Sequence, residues 1–390
     1  MDSRTRRYLR GRFGDHYRQT TVTPPPEPNE REWGYIPWDS GGTTMVRHSS
    51  WLDIGDLETF LTDTCPQHVY FSAGRYDDPG AGSMSKKGWR SSDLVFDLDA
   101  DHLPGVDPDG DSYASMLETC KEALLDLLDL LEEDFGFEDL TVVFSGGRGY
   151  HVHVRDEGVK ELDRHHRREI VDYVLANEVD FDTLLQHESV AGIGMKNPAD
   201  KRTLDTTGGW SARVAEMVSA YVDELLELDD EAALEKLQEI DGVGAGRAEA
   251  ILRVARSKPE EIHAGNVDVH GAFPTLARSL AEQTFREQTA PIDEPVTTDI
   301  NRLIRLPGSL HGGTGLEVGR IPRDEVDDFD PLHDAVPRTF IGNEITVAVE
   351  EPTAVELGGG RFTCDPGAQT VPEYVGVFLM ARGHARKEKE

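Results

Sequence analysis

Between residues 94 and 99, Leu94, Phe96 and Leu98 alternate with Val95, Asp97 and Asp99. A period of two predicts a strand, here over Asp93–Asp99, with an apolar face and both carboxylates on the opposite face. His68–Ser72 reads as an earlier strand. From Tyr113 the apolar positions Met116, Leu117, Cys120, Leu124, Leu127, Leu128 and Leu131 recur every three or four residues. That spacing predicts an amphipathic helix, ending near Gly136. Leu140–Phe144 and Tyr150–Val154 are two further strands, separated by Ser145-Gly-Gly-Arg-Gly149. Strand, helix, strand and glycine-rich loop together predict an α/β (α+β) fold built on a mixed sheet.

From about Lys160 to Gln288 the pattern is helical and strongly charged, with no convincing strand. Beyond Pro291 the signals are mixed again, with a strand at Glu344–Glu350 and a last apolar run from Tyr374 to Met380. The expected organisation is therefore a discontinuous core, 1–159 and 289–390, with a helical subdomain at 160–288. Residues 1–19 carry Arg4, Arg6, Arg7, Arg10, Arg12 and Arg18 and read as a basic arm; Pro24, Pro25, Pro26 and Pro28 follow as a stiff spacer.

Composition changes this picture in two ways. With 74 acidic against 40 basic side chains the formal net charge is −34, and only 10 of the basic residues are Lys. Such a field repels polyanions in ordinary buffer, but in molar salt the screening length falls to about 3 Å. An acidic, Lys-poor surface is what adaptation to multimolar salt looks like. Cys65, Cys120 and Cys364 are odd in number and scattered, which argues against a disulfide framework. The most apolar helical run, Ala123 to Leu131, is broken by Asp126 and Asp129, far short of the roughly 20 apolar residues of a bilayer span. No signal-peptide core follows the N-terminus, so the expected location is cytoplasmic, with no membrane partner.

Asp97 and Asp99, on one face of a strand, have Cα atoms about 6.5 to 7 Å apart. Hard cations such as Mg²⁺ take one or two protein carboxylates together with substrate phosphate oxygens. The loop Ser145–Gly149 lies between two strands and opens no helix, which excludes a Walker loop and a dinucleotide fingerprint. Its glycines allow close approach, and Ser145, Arg148 and His151 can donate hydrogen bonds to polyphosphate oxygens. A third segment holds Asp293, Asp299, Arg302, Arg305 and, before and after further glycines, His311. Cationic Arg305 and His311 would complete a phosphate cradle.

These three segments, in this order, resemble the small, catalytic subunit of the archaeal and eukaryotic DNA primase, in a halophilic archaeal version. Arg31-Glu-Trp-Gly-Tyr35, Met45-Val-Arg-His-Ser49 and Lys87–Asp101 carry the likeness further. The resemblance implies template-directed, de novo synthesis of short primers from nucleoside triphosphates, by two-metal nucleotidyl transfer. It implies that Asp97 and Asp99 are paired carboxylates for Mg²⁺ or Mn²⁺. The third carboxylate, 18 positions before the motif His, is Asp293, leaving Asp299 as a helix cap. Ser145, Arg148 and His151 match the family's triphosphate loop, Arg305 and His311 its second basic pair, and Glu32 and Arg47 fall in motifs near the site. A large subunit, forming a heterodimer, and a single-stranded DNA template are the implied partners. Many relatives carry a zinc knuckle after the acidic strand. Here His102 and Cys120 are too few for four ligands, so structural zinc is not expected and Asp107, Asp109 and Asp111 stand in a solvated loop.

Leu237–Leu252, with Gly242-Val-Gly244, looks like a helix-hairpin-helix, which offers backbone amides to a phosphate. Arg164-His-His-Arg-Arg168 reads as the solvated face of a charged helix. Three other functions stay open at this level: a primase-like polymerase serving repair, a metal-dependent phosphohydrolase using Asp97 and Asp99, and a noncatalytic nucleic-acid-binding module.

Overall fold

The computed structural model describes residues 1–38, 44–108, 110–190 and 199–389. Asp109 lies outside them. The chain divides into two compact units, 1–125 with 137–171 and 291–390, and 126–136 with 172–290.

In the first unit the strands are β1 (Arg31–Ile36), β2 (Val46–Ser49), β3 (His68–Tyr76), β4 (Trp89–Ser92), β5 (Leu94–Asp99), β6 (Leu140–Phe144) and β7 (Gly149–Val154). The second unit contributes the hairpin β8 (Leu185–Val190) and β9 (Ala199–Leu204). Back in the first unit are β10 (Leu303–Arg305) and β11 (Arg320–Ile321). One sheet runs β10-β3-β1-β2 with β4 beside β3, and another runs β11-β6-β7-β5. Helices and antiparallel sheets make the fold α+β.

Every described strand pair is antiparallel, so the expected mixed sheet is corrected. The reason is local. The strand–helix–strand pattern of β5, Tyr113–Asp129 and β6 suits a parallel neighbour pair, but β7 turns back through the glycine loop and takes the place between them. Leu94, Phe96 and Leu98 of β5 are fully buried, as the alternation requires.

Three other expectations change. The N-terminal arm is a helix, Ser3–Tyr17, started by Asp2, whose carboxylate accepts from the Arg4 and Thr5 amides. Leu9, Phe13 and Tyr17, four apart, form a buried stripe that the surrounding arginines mask in the sequence. The region read as strandless holds the β8–β9 hairpin, whose polar residues carry no clear alternation. Its remaining structure is helical, including Gly209–Glu227, Asp230–Gln238, Ala245–Ser257 and Phe273–Gln288 around one apolar core. The hairpin-like segment is two helices joined through Gly242, at φ +76°. Finally, Arg167 is not solvated: it is buried and donates to the Leu162, Asp93 and Ser92 carbonyls. The strand at Glu344–Val349 lies where expected, and the last apolar run is a buried helix, Glu373–Ala381.

Candidate active site

β5 is an edge strand, so its outer carbonyls need donors from outside the sheet. The Asp293 amide supplies one, donating to the Asp97 carbonyl at 2.8 Å. This bond brings a residue nearly 200 positions away in sequence against the acidic strand. Asp293 stands at the N-cap position of the helix Glu294–Thr298, yet its side chain makes no capping bond. Asp299 follows that helix rather than starting it, and its carboxylate accepts from the Asn301 amide.

On the other side, Asp97 faces His151 across the β5–β7 pair, and His151 Nε2 lies 3.3 Å from the Asp97 carboxylate. Burial pushes the Asp97 carboxyl up, but His151, Arg302 and Arg305 outweigh it and hold Asp97 below the ordinary value. Asp293 moves the opposite way. Burial and the Asp97 charge, with Asp99 adding to them, raise it against the pull of Arg302 and His102. The charges of Asp97 and Asp99 thus both act on Asp293.

Among the described residues no group of three His, Cys, Asp or Glu is gathered tightly enough to hold a metal ion. The chemistry of the donors nevertheless suits a hard divalent cation: all three are carboxylates, and a cation beside them would offset the charges that, after burial, raise Asp293.

A cavity of about 340 Å³ opens beside Asp97, lined by Arg47, Tyr70, His151, Asp299, Arg302 and Arg305 among others. Arg305, on β10 opposite Tyr70 of β3, rests its guanidinium 5.6 Å from the Tyr70 ring centre. Arg47 is aimed by the fully buried Glu32, which also accepts from the His48 amide. Sequence reasoning left Arg302 and Tyr70 without roles. Arg302 sits three residues before Arg305 with its side chain on the same wall, a spacing that an extended segment does not announce.

The glycine loop is shaped from within. Ser145 is buried, and its hydroxyl accepts from the Gly147 and Gly149 amides at 3.2 and 3.3 Å. Gly149 packs so closely on β5 that a Cβ there would lie 1.8 Å from the Leu98 carbonyl oxygen. Gly146, at φ +72°, would place one 2.7 Å from the His311 Cβ. Arg148 is half exposed and ion-paired with Asp101 at 2.7 Å.

His311 lies under this loop, with its ring centre 4.8 Å from that of His68. Burial first, then Arg305 and His68, keep it far below the usual imidazole value. Burial thus disfavours the cationic form expected of His311, and Arg305 is the charged member of the pair.

The family model for the DNA primase small subunit matches residues 96–323, which include the acidic strand, the glycine loop and the Asp293–His311 segment but not Glu32, Arg47, His48, His68 or Tyr70. The chain belongs to the DNA primase small-subunit family. It is 64% identical over the whole length of both chains to the DNA primase small subunit PriS of Haloarcula marismortui and 62% identical, again end to end, to that of Natronomonas pharaonis. The PriS of Methanococcoides burtonii is 38% identical over 99% of each chain. The halophilic sources of the first two relatives agree with the salt-adapted composition. Among the described residues no helix is long and apolar enough to cross a membrane.

Proposed function

We propose that this primase small subunit is the nucleotidyltransferase that starts DNA synthesis, making short primers de novo on single-stranded template in a heterodimer with a large subunit. The observation that supports this reading is the backbone hydrogen bond from Asp293 to the Asp97 carbonyl on the outer edge of β5, next to an arginine-lined cavity that Asp97 borders. The sheet core, residues 1–159 and 289–390, would house the reaction, and residues 160–288 would serve it as a helical subdomain.

Asp97, Asp99 and Asp293 would hold Mg²⁺ or Mn²⁺. Divalent ions held by these carboxylates would supply Lewis acidity for activating a 3′-hydroxyl and positive charge toward the departing pyrophosphate. The rest of the work falls to the chain itself. Arg305 and Arg302 bring positive charge to the cavity wall, and because they are set before substrate arrives, little reorganisation is needed as charge shifts during transfer. His151 orients the Asp97 carboxylate through Nε2. Ser145 keeps the loop amides in place, Arg148 exchanges Asp101 for a phosphate oxygen, and His311 supports the loop from below.

The test is primer synthesis on single-stranded template with labelled nucleotides and Mg²⁺ or Mn²⁺ in molar KCl. Asp97→Ala should remove synthesis while circular dichroism shows a folded protein. Near wild-type synthesis by that variant would overturn the assignment; nucleotide consumption independent of template would point to a phosphohydrolase.

A further inference from the structure

Arg382 follows the helix Glu373–Ala381 and lies beyond the residues matched by the family model. Its guanidinium sits 4.6 Å from the Tyr113 ring centre and 5.3 Å from that of Phe378, and those rings are 5.5 Å apart. The Tyr113 hydroxyl donates to the Gly147 carbonyl in the middle of the glycine loop. In a planar trans peptide the C=O and the following N–H point in opposite directions. Holding the Gly147 carbonyl toward Tyr113 therefore turns the Arg148 amide away from Tyr113, and that amide has no acceptor among the described residues.

Charge adds a second observation. Arg382 has no carboxylate within ion-pair distance among the described residues, whereas Arg148 is taken by Asp101. Burial, and then Arg148, lower the Arg382 pKa below its ordinary value, with Tyr113 and the more distant Asp101 offsetting only part of this. A partly buried guanidinium without an anion is costly, and it is unexpected in a chain of 74 acidic side chains. Arrival of a polyanion at the loop would relieve it.

We propose that Arg382 and Tyr113 act together as a positioning device for the incoming triphosphate: Tyr113 sets the orientation of the Gly147–Arg148 peptide, and Arg382, stacked on it, adds the positive charge that Arg148 alone does not supply. The inference rests on the reading of the glycine loop as the triphosphate site. Cation–π contact keeps the guanidinium in place without a competing carboxylate.

The experiment compares wild type, Arg382→Gln, Arg382→Lys and Tyr113→Phe in primer synthesis over a range of nucleotide concentrations. Binding of a fluorescent nucleoside triphosphate without template is measured in parallel. Arg382→Gln should raise KM and the binding constant about three- to tenfold, the size of one close charge contact in strong salt, with kcat within about twofold. Tyr113→Phe, which removes one hydroxyl and keeps the ring, should shift KM the same way by less, and Arg382→Lys should recover part of the loss. A merely structural role would lower thermal stability and leave KM alone. An unchanged KM in Arg382→Gln and Tyr113→Phe, with wild type active, overturns this inference only. Failure of the wild type to bind triphosphate or make primers overturns the reading of the site itself.

Discussion

Asp93, just before β5, and Asp97, within it, are four residues apart, and their surroundings differ completely. Asp93 is fully buried, and its two oxygens take Arg31 at 2.9 Å, Arg75 at 2.7 Å and Arg155 at 3.0 Å. Arg31 itself is buried and pushed below its ordinary value by that burial, against the attraction of Asp93. Around Asp97 the setting differs, for two further carboxylates share the region. Asp99 and Asp293 stand nearby, the only ion-pair partner of Asp97 among the described residues is His151, and Arg302 and Arg305 act from the cavity wall. The contrast separates two uses of a charge. At Asp93 the protein supplies every counter-charge, so the carboxylate ties strands together. At Asp97 the nearby cations hold that carboxyl below its ordinary value, but its neighbour Asp293 stays raised by burial and by the charges beside it, which is what a site awaiting cations and a polyphosphate requires.

Substitution can break this contrast at either end. The largest effect on the fold should come from Asp93→Asn, which strands three guanidinium groups. Breaking a buried ion pair from one side costs about 3–5 kcal/mol, and urea unfolding in molar salt should show the midpoint falling accordingly. A stability within 1 kcal/mol of wild type, by the same roughly 3–5 kcal/mol yardstick, would mean that the cluster is not what holds β5.

Asp293→Asn should give the opposite pairing of effects. Because burial and neighbouring carboxylates raise the Asp293 pKa, its ionised form costs stability at neutral pH, and that cost disappears as the pH falls toward the ordinary value of 3.8. The variant should therefore melt slightly higher than wild type at pH 7, with the difference closing in acid, while primer synthesis drops by about a hundredfold or more. A lower melting temperature at pH 7 would show that Asp293 is compensated after all.

Asp101→Asn is the mildest change. It frees Arg148 from a pair that is partly exposed and worth about 0–1 kcal/mol, so KM for nucleotide should fall about two- to threefold. A rise in KM would make Asp101 a contributor to nucleotide binding rather than its competitor.

Periodicity was enough for the elements around the site. Leu94, Phe96 and Leu98 announce β5 and the face that carries Asp97 and Asp99, and the glycines of 145–149 announce a turn between strands. Local pattern failed where the stabilising partners are remote. The buried stripe of the N-terminal helix is only three residues among many arginines, and the polar β8–β9 strands have no apolar alternation to reveal them. Arg167 looks like any surface arginine, because two of the three carbonyls it bonds belong to residues more than seventy positions earlier.

The chain's order of residues by itself determined the type of chemistry available: two carboxylates on one strand face, a glycine loop with Arg and His, and an acidic composition suited to strong salt. Only the tertiary structure decided which charges are spent and which are free. It brought Asp293 to β5 through one backbone hydrogen bond, buried His311, closed Arg148 onto Asp101 and left Arg382 without a carboxylate in ion-pair distance among the described residues. The physical reason is that strand pairing and helix periodicity are set by neighbours along the chain, whereas a group's ionisation and pairing depend on burial and on charges a few ångströms away in space.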